Sequence, residues 1–537
     1  MKKLAIFLLF LAFISCKEEV VPEDDPPTVG KYSDLILYNM RIDRFVPEED
    51  FLNKKSFVAA TTKLDYLADL GITGIVLEPI AEGFTPGFDN NGGYIDSNDP
   101  NNSSEVLGGH SWNFFSQRDQ RIVDPALGTK EEFQTFVSEA HNRGIKVFVE
   151  FVFHGMFHGS VIKDASHPNG YPNLTAPVIN EHPEFFYWNN DGSIKISPSW
   201  NSAIMKWEAS NVELQTWYHD VLLSWLDDFQ VDGFFLDLEP HEVAEKIGYD
   251  YWDLLKEKAE ARGHDILLVP EGYKAGRFNT FPFAQGNFRI SDPRVNAEVD
   301  NPVYDFMVTT PHRDPNWNNW VEPVNIVDVV LDYRERPAQY YTSAISCLNS
   351  KDYNVKGLAQ MAYGAIISPF IPFWFAGEEF HANGKNYDPN NPFFDRLYFT
   401  RIDWSLLNQN QSFFSDVKKL ISIRKEYQYL IAPFEQNLYK TKIATANTEG
   451  YTDLPSYILF GENSDGKKQA ILVIATKETT SASVKVSFNP EYIKMSENAT
   501  FQFTNLMTGT KLERTDVESG VDVEGIDPNG VLIYLLE

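Results

Sequence analysis

Val231-Asp232-Gly233-Phe234-Phe235-Leu236-Asp237 is the stretch on which the fold turns. It follows a helical run from Gln215 to Phe229, rich in Trp, Leu and Val, and stays apolar until it ends on an acid. A short apolar run placed directly after a helix reads as a strand buried on both faces, as in a parallel sheet wrapped in helices. The same unit recurs on either side. Upstream, Leu35-Ile36-Leu37-Tyr38 is a first strand; a helix from Lys63 to Leu70, stopped by Gly71, leads to Ile75-Val76-Leu77 and then Glu78-Pro79. A helix from Lys130 to Arg143, stopped by Gly144, leads to Val147-Phe148-Val149-Glu150. Downstream, Tyr251 to Arg262 leads to Ile266-Leu267-Leu268-Val269 and Glu271, and a later strand from Tyr341 to Leu348 ends near Asp352. Alternation of this kind predicts an α/β fold with a parallel sheet. Five of these strands end in or near an acid, and in a parallel barrel the C-terminal strand ends share one mouth.

Two regions depart from the alternation. Residues 154–210 hold Gly, Pro, Asn and Trp without helical period and read as an excursion built on a barrel loop. Beyond about Pro433 short strands and turns take over, such as Ser456-Tyr457-Ile458-Leu459 and Ala470-Ile471-Leu472-Val473, which predicts a small all-β domain. A length of 537 residues suits one large barrel plus smaller modules. With 76 acidic against 46 basic residues the net charge is −30, which repels phosphate backbones and argues against a nucleic-acid partner. The N-terminus carries Lys2, Lys3 and an apolar run from Leu4 to Ile14, too short for an ordinary membrane helix, followed by Ser15-Cys16. That pattern reads as a lipoprotein signal over 1–15, with Cys16 as the lipidation site and 16–32 as a polar tether. The placement it predicts is an outer-membrane lipoprotein at the cell surface. With Cys16 lipidated, Cys347 is the remaining thiol and an internal disulfide is excluded.

The order of strand-end motifs resembles the α-amylase family, glycoside hydrolase family 13, over nearly all of residues 33–537. The resemblance rests on Lys63 to Leu67 with Gly71 to Ile75, on Asp124-Pro125 through Gly128-Thr129 with Ala140 to Val147, on Val231 to Asp237, and on Ser368 to Phe373 with Gly377-Glu378-Glu379. It implies a (β/α)8 TIM barrel over 33–432, an inserted loop domain at 154–210 after strand 3, and a C-terminal all-β sandwich over 433–537. It also implies a retaining glycoside hydrolase acting on α-glucosidic linkages of starch-like glucans or oligosaccharides. Such a reaction needs two carboxyl groups flanking the glycosidic bond. By the resemblance Asp237 is the nucleophile, Glu271 the general acid/base, and Asp352 the third carboxylate that holds sugar hydroxyls.

Several positions depart from the family pattern. Phe235 stands where the family has an Arg that holds the nucleophile ionised through charge-assisted hydrogen bonds. His154 stands where an Asn, often a calcium ligand, is expected, and Gly155 where a sugar-binding His is expected. Lys351 replaces the His before the third carboxylate, and Phe115 replaces a stacking Tyr. His241 matches a family position near the leaving group. Phe115, His154, Phe235, His241 and Lys351 are therefore the candidate substrate-binding residues of a remodelled pocket. The oxygen-rich loop holding Asp89, Asn91 and Asp96 is a candidate calcium site, though an Asx-rich turn fits it as well. No cofactor is required beyond such a structural calcium. The expected partners are an α-glucan or oligosaccharide and, through the lipid, the outer membrane. The rival readings are a transglycosylase and a catalytically impaired carbohydrate-binding lipoprotein that keeps the barrel.

Overall fold

A computed structural model describes residues 34–83, 117–161, 174–197, 202–237, 250–270, 366–367, 371–382, 401–431, 443–450, 456–476, 482–496, 500–528 and 530–537. It also describes shorter pieces at 243, 245–248, 341–343, 361–362 and 384–385. In chain order the first strands are β1 Leu37–Met40, β2 Gly74–Leu77, β3 Ala81–Gly83, β4 Gln117–Val123, β5 Lys146–Val152, β6 Gly155–Phe157 and β7 Ser202–Ile204. They are followed by β8 Gly233–Asp237, β9 Leu267–Pro270, β10 Tyr341–Ser343 and β11 Ile371–Phe375.

Seven of these strands pair in parallel in the order β10-β11-β1-β2-β5-β8-β9. The chain adds strands in sequence from β1 to β9, and the late strand β11 returns to pair with the first. That return is the wrap of a (β/α)8 barrel. Alternation along the strands sorts side chains between two cores. Leu35, Leu37, Val76, Phe148, Phe235, Leu267 and Phe373 fill the inside of the barrel. Ile36, Tyr38, Ile75, Leu77, Val147, Val149, Phe234, Leu236 and Trp374 face outward into the main core beneath the helices. Phe235 and Asp237 therefore share the inner face of β8. At its base a Cβ on Gly233 would lie 1.8 Å from the Leu267 carbonyl oxygen, so the β8–β9 approach demands glycine there.

The helices follow local signals. Lys130–His141 starts on a capping box in which Thr129 and Glu132 satisfy each other's backbone N–H groups. Val212–Phe229 starts at Asn211, whose side chain accepts from the Leu214 N–H, and ends at Gln230 in the left-handed conformation. The first strand begins at Leu37 rather than the expected Leu35. The reason is that the Ile36 N–H donates to the Thr73 side-chain hydroxyl at 2.8 Å instead of to a neighbouring strand.

After the short antiparallel pair of β12 Gly384–Lys385 with β13 Arg401–Ile402, and the helix Gln411–Glu426, the chain becomes all-β. The strands are β14 Ile443–Glu449, β15 Ser456–Glu462, β16 Lys468–Ala475, β17 Ala482–Ser487, β18 Phe501–Asn505, β19 Lys511–Arg514, β20 Val521–Ile526 and β21 Val531–Leu536. They form one antiparallel sheet in the order β19-β18-β21-β16-β15-β14-β17-β20. Period two again divides the faces. Tyr457, Leu459, Ile471, Val473, Ile533 and Leu535 join the barrel's outer core, and the intervening Ile458, Leu472 and Tyr534 join a second core with Val484, Val486 and Phe503. Tyr457 Oη donates to the Ile367 carbonyl at 3.1 Å and the Arg424 guanidinium to the Ile366 carbonyl at 2.9 Å, closing the junction with the barrel side.

The excursion after β5 holds more regular structure than its composition suggests. The short helix Pro177–Glu181 and the antiparallel pair β6–β7, with Gly155 opposite Ile204, lie within it.

Candidate active site

The site starts from the inward face at the C-terminal strand ends. Strand register sets Glu150 beside Phe235 and Val152 beside Asp237. Alternation places Asn39 at the end of β1, and Glu78 just past β2, on the same face. Asn39, Glu78, Glu150 and Asp237 are all buried, Asp237 to 8% exposure. A carboxylate so far from water needs local partners, because its charge is costly in a low dielectric.

The end of β5, next to Asp237, is fastened by side chains from distant segments. Tyr218 Oη and Gln120 Nε2 both donate to the Val152 carbonyl at 2.8 Å. Trp207 Nε1 donates to the Phe153 carbonyl at 2.7 Å, and the Met205 N–H to the His154 carbonyl at 3.2 Å. Three consecutive carbonyls are thus satisfied where the ladder ends, as buried acceptors require. The Tyr218 phenol is held well above its ordinary range, chiefly by burial, with the Asp237 charge adding to the shift. It is a neutral donor. Sequence reasoning missed Gln120, Trp207 and Tyr218, and no local motif marks them.

Of the expected substrate-binding residues, His154 and Phe235 lie within the described segments. The His154 ring is 3% exposed, with Nε2 3.2 Å from Ser202 Oγ on β7. Burial lowers its pKa to about 3, so the imidazole is neutral. Phe235 lies among the apolar side chains inside the barrel, its ring parallel to Phe373 within 5° at a centroid distance of 6.1 Å. Gly155, where the family pattern has a sugar-binding His, has no room for any side chain: a Cβ there would sit 2.1 Å from the Ala203 carbonyl oxygen. Glu271, Asp352, Phe115, His241, Lys351, Cys16 and the loop residues Asp89, Asn91 and Asp96 lie outside the described residues. Among the described residues no group of three or more His, Cys, Asp or Glu is arranged to hold a metal ion.

The acids after β11 serve a different purpose from those of the mouth. Glu379 is fully buried and accepts from Tyr38 Oη at 2.9 Å, Tyr66 Oη at 2.6 Å and the Gly377 N–H at 3.0 Å. Tyr38 is outward-facing, so this carboxylate ties β1, the helix Leu64–Leu70 and β11 together beneath the barrel wall.

Residues 58–289 match the family described as alpha amylase, catalytic domain. This segment is similar to an α-amylase-family catalytic domain. It contains β2, β5, β8 and β9, and therefore Asp237. The chain is 23% identical over 394 residues to the intracellular maltogenic amylase of Bacillus subtilis (strain 168), covering 71% of this chain and 57% of the relative. It thus spans little more than half the length of that relative. It is 22% identical over 497 residues to a cyclomaltodextrinase of Geobacillus thermopakistaniensis (strain MAS1), covering 88% of this chain and 69% of that one. In structure it is similar to a noncanonic maltogenic α-amylase of Thermotoga neapolitana, with a TM-score of 0.64 and 16% identity over 94% of this chain and 98% of the other. That likeness carries the (β/α)8 fold. The comparison also corrects one expectation. The Bacillus subtilis relatives are named intracellular, which overturns the outer-membrane, cell-surface placement read from the N-terminal residues.

Two buried histidines give this region an acid sensitivity. Burial lowers His154 to about 3, and His219 to about 3 with help from the Lys258 charge. In the unfolded chain each titrates at about 6.5. As pH falls below that value the unfolded state binds protons that the folded state refuses. Stability present above about pH 6.5 should therefore drop by about 1.4 kcal/mol per pH unit for each histidine. Urea midpoints measured from pH 7 to pH 5 should fall, and His219→Gln should flatten the decline by about half; an unchanged slope in that variant would discard the assignment.

Proposed function

We propose that the chain is a retaining glycoside hydrolase that cleaves α-glucosidic linkages in glucans or their oligosaccharides. The observation that carries this reading is Asp237, buried on the inner face of β8 at its C-terminal end, within a segment matching the α-amylase catalytic domain. In the proposed reaction an Asp237 oxygen attacks the anomeric carbon while Glu271 gives its proton to the leaving glycosidic oxygen. Water then attacks the glycosyl ester, gives its proton to Glu271 and releases Asp237 as carboxylate. Asp352 holds sugar hydroxyls during both steps. The relatives are named for maltogenic and cyclomaltodextrin-cleaving activity, which favours short or cyclic α-glucans as the first substrates to try.

The pocket is proposed to be remodelled. Phe235 packs on Phe373 where a guanidinium would have stood beside the nucleophile, and β6–β7 pairing leaves no side chain at position 155. These two features also favour the second reading, a barrel that binds carbohydrate with impaired catalysis. Interception of the glycosyl ester by a sugar hydroxyl in place of water would make the enzyme a transglycosylase.

The test is proton NMR of fresh digests of maltoheptaose and β-cyclodextrin. Release of the α-anomer first is the expected result. Early release of the β-anomer would exclude retention, and binding without turnover would favour the second reading.

A further inference from the structure

We propose that Trp188 is the platform of a second glucan-contact site, apart from the catalytic mouth, on the segment that rises from β5. The inference rests on the glucan reading above and extends it to a surface that reading does not use. Trp188 is 45% exposed and is the only aromatic side chain of the exposed class among the described residues. A lone exposed apolar side chain is ordinary on a protein surface. What sets this one apart is that the indole is held in place. Its N–H donates to the Pro183 carbonyl at 2.7 Å, fixing the ring edge and using the one polar group that would otherwise orient toward water. Its bridge partner is Ile194, which belongs to the main core. Side chains of bridged residues lie on the same side, so the ring has apolar support beneath it.

The turn that follows is also rigid and polar. The Asn189 N–H donates to the Ser193 carbonyl at 2.8 Å and the Gly192 N–H to the Asn189 carbonyl at 3.0 Å. Asp191 accepts from the Ser193 N–H at 2.9 Å and from its hydroxyl at 2.6 Å. The segment is anchored below by Trp207 and Met205 on the end of β5. A flat, immobilised ring suits a glucose residue, which presents an apolar face of C–H groups. Because the ring is pre-positioned, little side-chain entropy is lost on binding. A polymer already held in the mouth would gain a second contact at high effective concentration, so long chains should benefit more than short ones.

The experiment uses the full-length chain carrying Asp237→Asn, so that gels are not digested, with and without Trp188→Ala. Migration in native gels containing amylopectin is compared with migration in plain gels. In parallel, Trp188→Ala alone is assayed on amylopectin and on a chromogenic maltotrioside. The expected result is a loss of retardation corresponding to about 5-fold weaker binding, with KM on amylopectin raised and kcat/KM on the maltotrioside unchanged. Trp188→Phe should restore part of the retardation. Equal retardation with and without Trp188 overturns the second site while leaving the hydrolase reading in place. Loss of maltotrioside turnover in Trp188→Ala overturns it too, since the residue would then belong to the mouth. Absence of retardation together with absence of any glucan turnover in the unmutated chain overturns both.

Discussion

Asp237→Asn is expected to lower kcat on α-glucans by about 1,000-fold or more while leaving the unfolding midpoint close to that of the parent. The substitution keeps shape and removes the negative charge and the oxygen proposed as nucleophile. An amide cannot form the glycosyl ester, so the route that remains is direct attack by water, without the division of the barrier that covalent catalysis provides. Stability should hold because the Asn fits the same buried position and removes a charge whose desolvation is costly. KM should change little, since in the proposed reaction Asp237 acts on the reacting carbon and other groups hold the sugar. Initial rates with maltoheptaose, together with urea unfolding of both proteins, check the two halves of this expectation. A variant that retained a tenth or more of the parent's turnover would remove Asp237 from the nucleophile role.

The second large effect concerns a residue whose importance lies in what it lacks. Gly155→His would restore the residue type that the family pattern places there, and chemical analogy alone would expect tighter sugar binding. The structure predicts the opposite. Gly155 pairs with Ile204 across the antiparallel β6–β7 pair, and a Cβ would meet the Ala203 carbonyl oxygen at 2.1 Å and the Ser202 Cβ at 3.1 Å. The obstacle is backbone, which cannot swing aside as a long side chain can. Relief requires opening the β6–β7 pair, which would also separate His154 from Ser202 and the Met205 N–H from the His154 carbonyl. The expected loss is more than about 4 kcal/mol in the stability of this region, with activity falling alongside it. Urea unfolding and limited proteolysis between residues 155 and 204 would report it. Gly155→Ala should share most of the loss, because the clash begins at the first side-chain carbon. Tighter substrate binding by Gly155→His at an unchanged unfolding midpoint would show that the room exists after all.

The barrel's strand and helix order was legible because each element carries its own local signal. The run from Val231 to Asp237 is apolar and ends on its acid; Thr129 and Glu132 cap their helix through neighbours three residues apart. Period two along β1, β2, β5 and β8 places inward and outward residues without knowledge of the rest of the chain. Asp237 could thus be assigned to a strand end from the sequence, and the fold puts that end on the barrel's inner face. Even so, the start of β1 shifted by two residues, because a side-chain hydroxyl from Thr73 competes for the Ile36 N–H.

Only the tertiary structure could decide which distant groups meet at those strand ends. Gln120, Trp207 and Tyr218 close the carbonyls of residues 152 and 153 from three separate elements. Glu379 finds Tyr38 and Tyr66 more than 300 residues away in the chain. In sequence Phe235 is a lost cation, and folding reveals a ring packed on Phe373 inside the barrel; Gly155 is a lost ligand, and folding reveals a strand pair with no space for one. The physical reason is the same in each case. Local propensity depends on a few neighbouring residues, whereas steric room and hydrogen-bond saturation in a buried site depend on segments that become neighbours only when the chain closes on itself.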